Sequence, residues 1–329
     1  MTLTYWPRLL SLCFASFFLI NALAGLAVRI AERRIIRLAE GMTAGAAARL
    51  LFWTRILPAG TAVIVVAFAC APSYVRFEGD IAIERVGFAC LGMALLGGLV
   101  WAVAVARGLR IAAHSAGFAY LCRRNGCVIR LPERPSRMLV IQTPRAFLAL
   151  SGILRPCIVI SQRLLSDFSG GELKAALGHE RAHWRSHDNG KRLVLAFLPG
   201  TLPFWRGFER LERSWSKFAE RAADDAVIAE GPGPALSLAT ALVRLARTHA
   251  TMGRAPWLPG GASPLGGSDD LSGRVGRLLA PAAGDNAKAF DCDRVLLAIS
   301  GFVVASLLTL LASPALQQLM HGLLERLLH

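Results

Sequence analysis

Cysteine is scarce in this chain and follows no pattern. The seven residues Cys13, Cys70, Cys90, Cys122, Cys127, Cys157 and Cys292 are scattered over 329 positions, and Cys122 and Cys127 have four residues between them, not the two of a zinc knuckle. This spacing excludes a disulfide scaffold and a cysteine zinc site, and points to free thiols in a reducing compartment or in lipid. Acidic residues are also few: 22 Asp and Glu stand against 37 Lys and Arg, a net charge of +15. Because the basic residues cluster beside apolar runs, the surplus reads as membrane-flanking charge, and direct nucleic-acid binding is not expected. No internal repeat is visible.

Apolar residues are abundant. They make up 54% of the chain, with a mean hydropathy of +0.47. Four runs approach or exceed the ~20 residues needed to span a bilayer: Leu9–Val28, Ile56–Val75, Val86–Ala106 and Val295–Ser313. The first lacks a clear small-residue cleavage site and reads as an anchor rather than a signal peptide. A further run, Leu193–Trp205, holds Pro199 and Pro203 and is too short to span; it is expected on the membrane surface or in the core. Arg is dense between runs one and two and again after run three, whereas Arg76 and Arg85 are offset by Glu78, Asp80 and Glu84 between runs two and three. The positive-inside rule then puts the N-terminus outside and residues 107–294 in the cytoplasm. The expected organisation is a membrane region of three transmembrane helices (1–106), a cytoplasmic domain (107–294), a fourth transmembrane helix (295–313) and a short extracytoplasmic tail (314–329).

Within the cytoplasmic part, Arg137–Gln142 and Pro156–Ser161 read as strands. Ser169 and Glu172 have the Ser-x-x-Glu form of a capping box opening a helix. Further helices are expected over about 208–230 and 235–250, and the Gly/Pro/Ser-rich stretch 255–268 reads as a loop.

Histidine is scarce too, seven in all, yet three fall in "ALGHERAHWRSHDN", residues 176–189. On a helix, residues i and i+4 share a face, so His179 and His183 can present two imidazoles to one zinc ion with Glu180 beside them as general base. His187 extends the spacing to a second turn. Because the outer His pair would then lie about 12 Å apart along the axis, His187 belongs at the surface or behind the ligands. A third ligand is expected from the next long helix, where Glu220 and Asp224 are again i and i+4. Glu212 and Glu230 would serve by composition, but Glu220 lies on the apolar part of the helix, among Phe218, Ala219, Ala222 and Ala223. Asp224 would then hold a ligand imidazole by its other nitrogen. Zinc would lower the pKa of a bound water, and Glu180 would carry its proton to the leaving nitrogen. An extended substrate would pair with a sheet edge, for which Pro156–Ser161 is the candidate, a buried core strand being the alternative.

The array "GILRPCIVIS…GGELKAALGHERAHWRSHDN…FAERAADDAV" resembles the membrane zinc peptidases of the beta-lactam sensor and antirepressor (BlaR/MecR) type, of the gluzincin group. The resemblance runs from Gly152 to Ile228 and extends to "SGRVGRLLAP", 272–281. It implies His179, His183 and Glu220 as zinc ligands, Glu180 as base and Asp224 as orienter, and it matches Asp188 to an acidic residue following the motif. The implied fold is a four-span α-helical membrane protein with a cytoplasmic α+β gluzincin domain between spans three and four. The sensors' extracellular penicillin-binding domain has no counterpart here, so beta-lactam sensing is not implied. The reading is thus a zinc endopeptidase of the cell (inner) membrane that cleaves a cytoplasmic protein, such as a transcriptional repressor, in regulatory proteolysis. The alternatives are an HtpX-like quality-control protease and a non-catalytic zinc-binding signalling protein.

Overall fold

The computed structural model describes residues 2–77, 84–131, 137–143, 145–152, 156–202, 207–252, 263–264 and 270–280, with isolated positions near the C-terminus. The expected fourth span and its tail lie outside these stretches.

The N-terminal part is a bundle of long helices. They are α1 (Tyr5–Glu40), α2 (Ala44–Val65), which runs through a π-helical turn (Val66–Cys70) into α3 (Ala71–Phe77), and α4 (Phe88–Asn125). Two short strands, β1 (Thr2–Leu3) and β2 (Glu84–Arg85), pair antiparallel. The three long helical stretches Tyr5–Glu40, Ala44–Phe77 and Phe88–Asn125 are long and apolar enough to cross a membrane. Each exceeds that need: at 1.5 Å per residue, the 36 residues of α1 extend about 54 Å, against a hydrocarbon core of about 30 Å. The Arg-rich connection between the first two apolar runs is therefore largely helical, the end of α1 and the start of α2, and the expected boundary at residue 106 falls inside α4. Gly97 lets α4 approach α1 closely, since a Cβ there would stand 2.4 Å from the Phe14 carbonyl oxygen.

The C-terminal part places helices on a mixed sheet of order β3-β4-β6-β5-β7. The strands are β3 (Cys127–Arg130), β4 (Arg137–Ile141), β5 (Leu148–Ser151), β6 (Cys157–Ser161) and β7 (Ser263–Pro264). β4 and β6 run parallel; the other neighbours are antiparallel. β6 lies between β4 and β5 with every residue buried, so the expectation that Pro156–Ser161 forms the substrate edge is corrected. A largely apolar run with β-branched residues at its centre is buried on both faces and belongs inside a sheet. The helices are α5 (Gln162–Asp167), α6 (Gly170–Arg185), α7 (Asp188–Phe197), α8 (Glu209–Ile228), α9 (Pro232–Met252) and α10 (Leu271–Leu279). The Ser169/Glu172 capping box forms in both directions, and Gly231, at φ 124°, ends the helical stretch before Pro232 opens α9.

One core, including Leu148, Ile158, Ile160, Leu177, Leu238 and Leu242, fills the space between the sheet and helices α6 and α9. A second joins the two halves: Val28 and Leu51 of the long helices pack with Leu211, Trp215 and Phe218 of α8. The described part of the short apolar run, residues 193–202, is drawn into this junction. Phe197 packs over Gly108, where a Cβ would meet its ring at 2.4 Å. Polar side chains from three long helices hold the following carbonyls: Arg107 donates to Ala196 and Leu198, Arg55 to Leu198 and Pro199, and Asn21 to Gly200. Backbone groups that leave a helix in an apolar setting need such partners. The end of α7 and the residues just after it, 196–200, are thus tied to the helical bundle.

Candidate metal centre

α6 carries His179, Glu180 and His183, all fully buried. Its small residues allow this. Ala175 and Ala176 are buried, and Gly178 faces Val227 and Glu230 at ordinary contact distance. One turn apart, the two imidazoles point the same way, with their Nε2 atoms 3.2 Å from each other. α8 supplies Glu220, whose Oε2 stands 3.5 Å from His179 Nε2 and whose Oε1 stands 3.5 Å from His183 Nε2. The three ligand atoms lie within 4.8 Å of one another. Two imidazoles and one carboxylate are the protein donor set of a tetrahedral zinc site whose fourth position takes a water.

Each histidine has a carboxylate on its far nitrogen. Asp224 Oδ1 lies 3.1 Å from His179 Nδ1, and Asp188 Oδ2 lies 2.7 Å from His183 Nδ1. The contact at His183 is a hydrogen bond, which would keep the proton on Nδ1 and leave Nε2 for a metal, while Asp224 stands beside His179 Nδ1 as an ion-pair neighbour. Asp188, matched only through a family resemblance, therefore has a specific position: it is the counterpart of Asp224 for the second imidazole. It opens α7 directly after His187, which takes a left-handed conformation (φ 56°) and is exposed, away from the cluster. That left-handed residue turns the chain sharply between α6 and α7, so that Asp188 points back at His183.

The surroundings are strongly anionic. Burial alone would lower the His183 pKa, but Glu220, Asp188 and Glu180 raise it to about 10. The same crowding of negative charge suits a divalent cation. For Glu180, burial pushes the carboxyl up to about 7, with the two histidines pulling the other way. Its Oε2 accepts a hydrogen bond from the Leu150 backbone N–H at 2.9 Å, while Oε1 is buried and has no hydrogen-bond partner among the described residues. One oxygen is thus anchored and the other is free for a water or a substrate proton.

Three features escaped the sequence reading. β5 is the strand beside the base. It is held there by Glu180 on the Leu150 N–H and by Asn189, whose Nδ2 donates to the Leu150 carbonyl at 2.9 Å. Its outer neighbour is the two-residue β7. β5 was missed because Leu148–Ser151 is short and lacks β-branched residues. Arg192 lies over Trp215 with Nη2 3.6 Å from Glu220 Oε1. Arg274, from α10, is buried against Asp224 and Glu220; the signal available for it was an Arg set in the apolar frame of "LSGRVGRLL".

Residues 123–250 match the family model described as Peptidase family M48. The chain is also similar to a protein named Protease HtpX homolog from Archaeoglobus fulgidus, 30% identical over 91 residues. That alignment covers 27% of this chain and 27% of the relative, so the chain spans about a quarter of the relative's length in this match. Together with the apolar helices, these likenesses support a membrane metallopeptidase related to family M48.

Proposed function

We propose that the protein is a zinc-dependent membrane endopeptidase whose ligands are His179, His183 and Glu220 and whose general base is Glu180. The carrying observation is the convergence of three ligand atoms within 4.8 Å beside a buried carboxylate, one oxygen of which has no hydrogen-bond partner among the described residues. A zinc ion held by these residues supplies Lewis acidity and a water of lowered pKa. Asp188 and Asp224 orient the two imidazoles. Glu180, steadied by the Leu150 N–H, takes the proton from the attacking water and delivers it to the leaving nitrogen. A purely structural zinc role is disfavoured by Glu180, since a structural site needs no buried base beside it.

In this reading the bundle spans the cell membrane with the N-terminus outside and the peptidase part in the cytoplasm, as the Arg distribution directs. The substrate is then a cytoplasmic protein. The likeness to an HtpX homolog favours broad, quality-control cleavage; the BlaR/MecR resemblance favours cleavage of one regulator, such as a repressor. Mapping new protein N-termini in cells expressing the wild type or Glu180→Gln separates them. One or two lost cleavages mark a regulatory protease and many mark quality control, while identical maps would sink the enzymatic reading.

A further inference from the structure

We propose that Arg274, carried on α10, is a positioning residue that locks the metal-binding carboxylates of α8. This inference rests on the zinc-site reading above. Arg274 is only 3% exposed. Its fork grips Asp224 with two hydrogen bonds, Nε to Oδ2 at 2.8 Å and Nη2 to Oδ1 at 2.7 Å. Its remaining nitrogen, Nη1, lies 3.1 Å from Glu220 Oε2. One planar group therefore bridges both members of the Glu-x-x-x-Asp pair and ties the carboxylate that ligates to the carboxylate that orients His179. It comes from outside the residues that match the peptidase family, 123–250.

Burying a guanidinium is costly unless it is fully paired, and removing one partner of a buried pair is costlier still. Docking α10 does not require that cost. The same helix already meets α8 through Asp270 with Lys217, at 2.9 Å, and through Arg277 with Asp225, both pairs at the partly exposed rim. The buried Arg274 instead sits where Glu180, Asp188, Glu220 and Asp224 crowd carboxylates of one sign into a small volume. Only Arg can hold two oxygens of Asp224 in a fixed plane and still reach Glu220; Lys offers a point charge without the fork. Two effects of removing it oppose each other. Losing a positive charge near the ligands would tighten binding of a cation, whereas losing the fork would let Asp224 and Glu220 drift and loosen it. The bidentate geometry makes the second effect dominant.

The test uses the full chain in detergent micelles and reads zinc affinity by competition with a chromophoric chelator, together with the visible spectrum of the cobalt-substituted protein. Arg274→Gln is expected to weaken zinc binding about 10–100-fold, the usual cost of removing a group behind a metal ligand, and to shift the cobalt bands. Arg274→Lys should show most of that loss. Arg277→Gln, which cuts a rim contact of the same helix, should stay within about threefold of the wild type, as expected for an exposed ion pair. Wild-type or tighter zinc binding in Arg274→Gln overturns the inference, as does full recovery by Arg274→Lys or an equal loss in Arg277→Gln. If Arg274→Gln fails to fold, the charge-retaining Arg274→Lys decides. A wild-type chain that takes up no zinc would instead overturn the proposed function, and this inference with it.

Discussion

Replacing Asp188 with alanine isolates one carboxylate that touches a proposed zinc ligand without itself belonging to the ligand set. Asp188 is 3% exposed, and its Oδ2 lies 2.7 Å from His183 Nδ1. A short contact of this kind with a charged partner is worth about 1.5–3 kcal/mol, little screened because the pair is buried. If that energy serves to aim His183 Nε2, its loss should raise the zinc dissociation constant by roughly 10–150-fold, at about 1.4 kcal/mol per tenfold. Asp188→Asn keeps an acceptor for the Nδ1 proton but not the charge, so it should fall between wild type and alanine. Lys191 Nζ, 3.6 Å from Asp188 Oδ1, is exposed enough to turn to solvent and should not mask the effect. The assay is chelator competition on the purified full-length protein, with thermal unfolding in parallel to show that the fold survives. A folded Asp188→Ala variant that binds zinc as tightly as the wild type would refute the assignment of Asp188 as the orienter of His183.

The ligand set makes its own predictions. Glu220→Ala should abolish stoichiometric zinc binding, whereas His187→Ala should leave it unchanged; equal losses would overturn the choice of third ligand. Glu180→Gln should retain zinc and lose about 10²–10⁴-fold in peptide hydrolysis, measured on any substrate found by N-terminus mapping; parallel loss of zinc would make Glu180 a ligand rather than a base. Chelation should silence the wild type and added zinc restore it. At the junction of the two halves, Gly108→Val would drive a side chain into Phe197 and destabilise the protein by about 1–3 kcal/mol. Trimming the ring with Phe197→Ala in the same chain should recover part of the loss in melting temperature, and no recovery would argue against that contact.

Much of the site was legible because it is written at helical spacing. His179, Glu180 and His183 need only a helix to share a face, and the capping box of Ser169 and Glu172 announced where that helix begins. Glu220 and Asp224 followed from the same i, i+4 rule and from the apolar side of the next helix. The apolar runs and the Arg distribution likewise announced a membrane protein, since length and hydropathy are local properties. His187 could be set aside on distance alone, because axial rise along a helix is fixed by its geometry.

The rest depended on segments that meet only when the chain closes on itself. The pairing of Asp188 with His183 requires the left-handed turn at His187. The strand beside the base is the unremarkable Leu148–Ser151 rather than the β-branched Cys157–Ser161, because strand order is a property of the sheet and not of either segment. That residues 196–200 of the apolar run Leu193–Trp205 are held by Asn21, Arg55 and Arg107 could not be read from composition. Arg274 stands 50 residues from Asp224 in the chain and 2.7 Å from it in space. The sequence by itself determined which residues could bind a metal and which stretches could enter a membrane, because those depend on residue type and local period. Only the tertiary structure decided which buried charges face each other, because their partners come from distant segments brought together by packing.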